Sequence, residues 1–114
     1  DNDEQLDKAV ECAGRAHEAL PNDAGIMDTY AYALCKTGDY AKAEEMLQMA
    51  IQIFERESMA VSWDVYMHLG MAQEGLGQKA AAAESYRRAL EVGGRGIAKN
   101  KKEELTKAIE RVLQ

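Results

Sequence analysis

The sequence contains one proline, one tryptophan and one phenylalanine in 114 residues, and aromatics make up only 6% of it. That leaves little material for a sheet, where aromatic side chains are enriched, and few points at which a helix must stop. No apolar run approaches the roughly 20 residues that span a bilayer, and no basic-then-apolar leader opens the chain. It reads as a soluble chain, cytoplasmic or periplasmic, with no membrane insertion. There are only two cysteines, Cys12 and Cys35. In helical sequence they are read as free, small apolar residues rather than a bridge, which weakly favours a reducing compartment. An excess of positive charge is also missing, since the net charge is −6. Residues 1–78 carry −10 and residues 79–114 carry +4. An acidic body argues against nucleic acid as the partner, because affinity for a phosphate backbone comes largely from Lys and Arg displacing counterions.

Alanine is plentiful. Nineteen alanines and 30% charged residues favour helix, because alanine and the straight-chain residues lose least on entering one. A chain of this length is one domain and buries about two thirds of the surface its unfolded form exposes. The first residue is Asp rather than Met and the opening segment is already helical in pattern, so the chain is expected to be a piece of something longer.

Periodicity divides the chain into helices. Leu6, Val10 and the alanines at 9, 13, 16 and 19 keep helical spacing until Pro21. Asn22 or Asp23 is placed to cap the next helix, in which Ile26, Met27, Tyr30, Ala31 and Leu34 mark one face. Gly38 supplies the positive φ that a helix C-terminus wants. A helix from Tyr40 follows, with Ala43, Leu47, Ala50 and Ile51 inward, and runs on through "IFERE". Ser58 is expected to cap the next, which carries Tyr66, Leu69, Gly70 and Gln73 and ends at Gly77. Ala82, Ala83, Tyr86, Ala89 and Leu90 mark another, "GGRG" at 93–96 breaks it, and Leu105, Ala108, Ile109 and Val112 line a last amphipathic helix.

"TGDYAKAEEMLQMAI" at 37–51 and "LGQKAAAAESYRRAL" at 76–90 repeat one pattern, with Gly38 and Gly77 39 residues apart. Self-similarity at this spacing signals stacked supersecondary units, because one unit cannot bury its own apolar face. Met27, Tyr30, Ala31, Leu34, Gly38, Tyr40, Ala43, Leu47 and Ala50, and then Tyr66, Leu69, Gly70, Gln73, Gly77, Lys79, Ala82, Tyr86 and Ala89, resemble two units of the tetratricopeptide repeat. The likeness is greatest to bacterial tandem-repeat members. It implies an all-α, right-handed superhelix of antiparallel helical hairpins: residues 3–20 as the second helix of an incomplete repeat, 24–57 as a repeat with an extended second helix, 59–92 as a repeat, and 98–114 as a capping helix. Glu55 stands where the family has its closing proline and extra residues follow, so an extension of the second helix is expected there. Gln73 and Lys79 replace apolar or aromatic family residues, so looser packing is expected around them.

The resemblance also implies a function, a non-catalytic protein-protein interaction scaffold whose concave groove binds a peptide or helix of a partner. Carried over place by place, the groove presents Asp28, Tyr32, Cys35 and Lys36 from one unit and Asp64, Met67, Met71 and Glu74 from the next. Tyrosine and methionine among carboxylates suit an apolar segment with basic flanks. The bland alternative is a solvated face with scattered apolar residues. Some members bind a C-terminal carboxylate through Lys and Asn, but Asp28, Tyr32 and Asp64 hold the corresponding places and oppose that mode. A second role is a structural module that stacks within a longer array or self-associates. Asp64 and His68 stand i,i+4, a spacing that places two ligands on one metal, yet two ligands make no site, and both histidines are read as ordinary surface residues. "GGRGIAKNKK" lacks the preceding strand and the spacing of a phosphate loop and is read as a loop and a basic helix start. Trp63 is an exposed anchor or, the reading preferred, a residue buried at the junction after the extended helix. With no Ser–His–Asp or Cys–His arrangement, neither enzymatic activity nor a cofactor or metal is expected.

Overall fold

The computed structural model describes residues 2–114, with side chains from residue 3 onward. Asp1, counted in the charge of the first segment, lies outside the described residues. Six α-helices follow one another: α1 (Asn2–Ala19), α2 (Ala24–Lys36), α3 (Tyr40–Arg56), α4 (Trp63–Gly75), α5 (Lys79–Gly93) and α6 (Lys99–Val112), with a 3₁₀ turn at Gly94–Gly96 before the last. No strand is present among the described residues. Each helix packs on its neighbour in sequence, and α2 also packs on α4, so successive hairpins stack as a solenoid.

Small residues at the crossing points allow this stack. Ala31, Ala43, Ala50, Ala82 and Ala89 are wholly inaccessible, and backbones approach where no larger side chain intervenes. Gly70 shows the constraint most directly, since a Cβ there would lie 2.6 Å from Cε1 of Tyr86. Tyr86, Met27, Leu47, Leu105 and Val65 are the largest fully buried side chains, and each stabilises the fold by about 1.5–3 kcal/mol through burial. Trp63 is half-buried and packs against this core. α6 contributes Leu105, Ala108 and Val112 to the core, with Ile109 half-buried beside them, and leaves Lys99 and Lys107 exposed.

The helix ends explain the internal repeat. At the end of α2, the Gly38 N–H donates to the Cys35 carbonyl (3.2 Å) and the Asp39 N–H to the Leu34 carbonyl (2.9 Å). At the end of α4, the Gly77 N–H donates to the Glu74 carbonyl (3.0 Å) and the Gln78 N–H to the Gln73 carbonyl (2.9 Å). These are matched Schellman closures, and both glycines take positive φ, +88° and +78°. α3 ends the same way without glycine. Ser58 has φ +56°, and the Met59 N–H reaches the Phe54 carbonyl at 2.8 Å. Ser58 therefore closes α3 rather than capping α4, which starts at Trp63 with Ser62 in the capping position. The Ser62 hydroxyl turns to the Asp64 carboxylate instead of a backbone N–H. Asp23 performs the expected capping of α2, accepting from the Ile26 N–H at 3.0 Å.

Gln73 is not a loose point. It is buried, and its Oε1 accepts a hydrogen bond of 2.6 Å from the Ser85 hydroxyl. The paired polar groups fill the position that an apolar contact occupies elsewhere and satisfy each other, which removes the penalty for burying either alone.

Candidate functional site

The stacking of α2 on α4 aligns one row of side chains from each helix. From α2 come Asp28, Tyr32, Cys35 and Lys36, and from α4 Asp64, Met67, His68, Met71 and Glu74. The structure brings most of these together, with pairings the sequence does not announce.

His68 is the centre of the upper half. It is buried rather than on the surface, and its Nδ1 lies 2.7 Å from Oδ1 of Asp28. Its partner is thus a carboxylate one hairpin away, not Asp64 on its own helix. The Tyr32 ring stacks on the imidazole with centroids 4.5 Å apart and planes 26° from parallel, and Lys36 Nζ lies 5.3 Å from the Tyr32 centroid, within the range of a cation–π contact. A carboxylate, an imidazole, a phenol ring and an ammonium therefore form one column linking α2 to α4. Tyr32 remains 38% exposed, so the column reaches solvent. His17, the other histidine, is half-buried against Tyr30 with ring centroids 5.7 Å apart, so it too is more enclosed than a surface residue.

Below the column, a cavity of about 450 Å³ is lined by Cys35, Tyr40, Met67, Met71, Leu105 and Ala108, with Glu74, Glu104 and Arg111 at its edge. Met67 is buried and Met71 half-buried. Tyr40 lies flat over Gly75, where a Cβ would overlap its ring. The floor is thus apolar and deformable, since methionine repacks readily.

Glu74 is already engaged. Its Oε2 accepts from Arg111 Nε at 2.6 Å, and its Oε1 accepts from Arg111 Nη2 at 2.7 Å and from the Tyr86 hydroxyl at 2.8 Å. The Arg111 guanidinium, with help from Tyr86 and against partial burial, holds the Glu74 carboxyl below its ordinary range. Burial, followed by this acceptor, pushes the Tyr86 phenol well above its ordinary value. The carboxylate expected to greet a partner also fastens α6 to α4. Arg111 was legible only as part of a basic terminal helix, and its reach to Glu74 depends on the angle at which α6 returns.

Both thiols are free, Cys12 exposed and Cys35 buried. Burial, with a smaller contribution from the Asp28 carboxylate and an opposing one from Lys36, raises the Cys35 thiol to about 11, so it is a packing residue rather than a nucleophile. No group of three or more His, Cys, Asp or Glu placed to hold a metal occurs among the described residues. No helix of the described residues is long and apolar enough to cross a membrane.

Comparison with known proteins places these features. The fold resembles that of an Arabidopsis OM64 TPR domain, with 22% sequence identity and a TM-score of 0.76 over 97% of this chain and 83% of that one. It also resembles the second TPR domain of human RPAP3, solved in complex with the HSP70 peptide SGPTIEEVD, at 18% identity and a TM-score of 0.74 over 99% and 85% of the two chains. The first TPR domain of human RPAP3 is similar at 20% identity and a TM-score of 0.72, over 98% and 85%. These likenesses are to plant and human proteins and lend nothing to a bacterial origin. No curated protein sequence matches the chain. The family model for the tetratricopeptide repeat matches residues 22–93, which span α2 to α5, and the chain belongs to the tetratricopeptide repeat family.

Proposed function

We propose that the chain is a non-catalytic protein-interaction scaffold that takes a peptide or helix of a partner in the groove between α2 and α4. The supporting observation is the cavity of about 450 Å³ to which α2 contributes Cys35, α4 Met67 and Met71, and α6 Leu105; Tyr32, on α2 but outside that lining, is 38% exposed. A concave, mostly apolar site with a few placed polar groups is where ligands bind, and an accessible tyrosine is a low-entropy anchor. Tyr32, Lys36, Asp64, Met67 and Met71 meet the partner in this reading. Asp28 and Glu74 act through their internal bonds, the first orienting His68 beneath Tyr32 and the second holding the α6 wall. With both of those carboxylates engaged, the partner's main contribution is an apolar side chain, and Asp64 is offered to a basic flank. A domain of this fold is solved with the acidic peptide SGPTIEEVD. In this reading Asp28 and Asp64, both on the helices that form the groove, oppose an acidic terminus.

The test is affinity capture with the wild-type chain and a Tyr32→Ala, Met71→Ala pair, followed by titration of the captured partner's segment into isotope-labelled protein. Loss of capture by the pair with unchanged helicity supports the groove. Shifts confined to the outer faces of α3 and α5 count against it.

A second reading, an assembly module, has its own observation. In α3 and α5 the small residues Ala43, Ala50, Ala82 and Ala89 are wholly buried, whereas in α1 Ala9 is exposed and Ala16 only half-buried. The seam that receives a helix elsewhere in the stack is uncovered on α1. A salt-sensitive dimer in sedimentation supports this reading, and a monomer at high concentration removes it.

A further inference from the structure

A second cavity, of about 500 Å³, lies between the turn joining α1 to α2 and the end of α3. Leu20, Pro21 and Asp23 line it from the turn, and Phe54, Glu57 and Met59 from the end of α3. Its existence follows from the extension of α3. The helix continues to Arg56, the left-handed residue Ser58 reverses the chain, and the reversal carries Met59 across from Leu20. Leu20 is 55% exposed and Met59 52% exposed, which makes them the most exposed large apolar side chains on the molecule besides Leu113. Both line the one cavity together with half-buried Phe54, so an apolar side chain entering it meets all three.

The lining has a definite charge. It includes two carboxylates, Asp23 and Glu57, and no Lys, Arg or His. Asp23 uses Oδ1 to accept from the Ile26 N–H. Neither carboxylate forms an ion pair among the described residues. This differs from the α2–α4 groove, where Asp28 pairs with His68 and Glu74 with Arg111. Electrostatic complementarity selects a partner's sign and rejects the opposite one.

We propose that this cavity is a docking site distinct from the α2–α4 groove, and that it takes a short segment of a partner protein presenting a large apolar side chain beside a lysine or arginine. The apolar side chain enters between Leu20, Phe54 and Met59, and the cation meets Glu57 and the free oxygen of Asp23.

The experiment is an amide-shift titration of the 114-residue chain with two blocked tetrapeptides, acetyl-Lys-Leu-Phe-Lys-amide and acetyl-Glu-Leu-Phe-Glu-amide, up to about 1 mM, the weak end of measurable affinity. The expected result is shifts in residues 19–25 and 54–59 with the basic peptide and not with the acidic one. The affinity should fall about tenfold in Glu57→Lys and in Met59→Ser, the size of effect expected for reversing a rim charge or removing an apolar contact. Both residues are exposed, so an unchanged melting temperature separates loss of the site from loss of the fold. Equal binding of the two peptides, no shift in those segments, or shifts at Tyr32 and Met71 instead would overturn the proposal. So would concentration-dependent dimerisation that protects the same segments, because the occupant would then be a second copy. The groove assignment stands or falls on Tyr32 and Met71, so the two failures are distinguishable.

Discussion

Glu74 and Arg111 stand 37 residues apart in sequence and meet through two parallel hydrogen bonds of 2.6 and 2.7 Å. A bidentate carboxylate–guanidinium pair is among the stronger side-chain contacts, and this one joins the last helix to the last full hairpin. Arg111 is largely solvated, so its removal should cost only about 1 kcal/mol of stability. The local effect is larger. Arg111→Ala should loosen α6 before the rest of the chain, seen as faster amide hydrogen exchange in 99–112 with α2 and α3 unchanged.

The same pair sets a pH dependence. Because Glu74 is held below its ordinary value of 4.5, its contribution is complete above that unfolded value. It is lost as pH falls through the lower folded one. Acid titration of the wild type should therefore release α6 at the bottom of the carboxylate range, and Glu74→Gln should flatten that limb of the stability curve. An unchanged acid limb in the variant would mean that other carboxylates dominate it.

Gly70 has no room for a side chain, with Tyr86 where a Cβ would go. Gly70→Ala should gain helix propensity yet lose overall, by about 1–3 kcal/mol, as overpacked cores do. Gly70→Leu should not fold to the same stack. Thermal unfolding monitored by circular dichroism measures the first, and pairing it with Tyr86→Leu should recover part of the loss if the clash is the cause.

Ser58 holds a left-handed conformation that its neighbours in the repeat assign to glycine. Ser58→Gly should raise stability by about 0.5–1 kcal/mol, the cost of placing an L side chain there offset by the greater freedom of glycine in the unfolded chain. Denaturant titration measures the gain, and an unchanged slope would show that the midpoint shift reflects stability rather than a change in the surface exposed on unfolding.

Cys12 and Cys35 should separate cleanly by reactivity. Cys12 is exposed and Cys35 buried, with its thiol raised to about 11. A maleimide at neutral pH should label one site per molecule quickly. Labelling of Cys35 should appear only at the rate of local opening between α2 and α4.

The alanine seams and the glycine closures were legible in the sequence because each is a local requirement. A crossing point admits only a small residue, and a left-handed closure is signalled by glycine at Gly38 and Gly77. Ser58 occupies the third closure without that signal, so the end of α3 reads as the beginning of α4. The polar pairs were not legible for a different reason. Asp28 and His68 are 40 residues apart, and Ser85 meets Gln73 only because α5 folds back on α4. Their pairing depends on the rotation of one helix against the next, which periodicity does not fix. The row of groove residues could be named from the repeat pattern, but which of them remained available to a partner could not.

The bond between Asp28 and His68 ties the leading helices of successive hairpins directly, whereas the alanine seams govern how each hairpin closes on itself. Successive hairpins are thereby joined by a polar tether in addition to the apolar packing of α2 and α3 on α4. Changing the length of that tether would therefore act on how two hairpins meet while leaving the alanine-packed interior of each untouched.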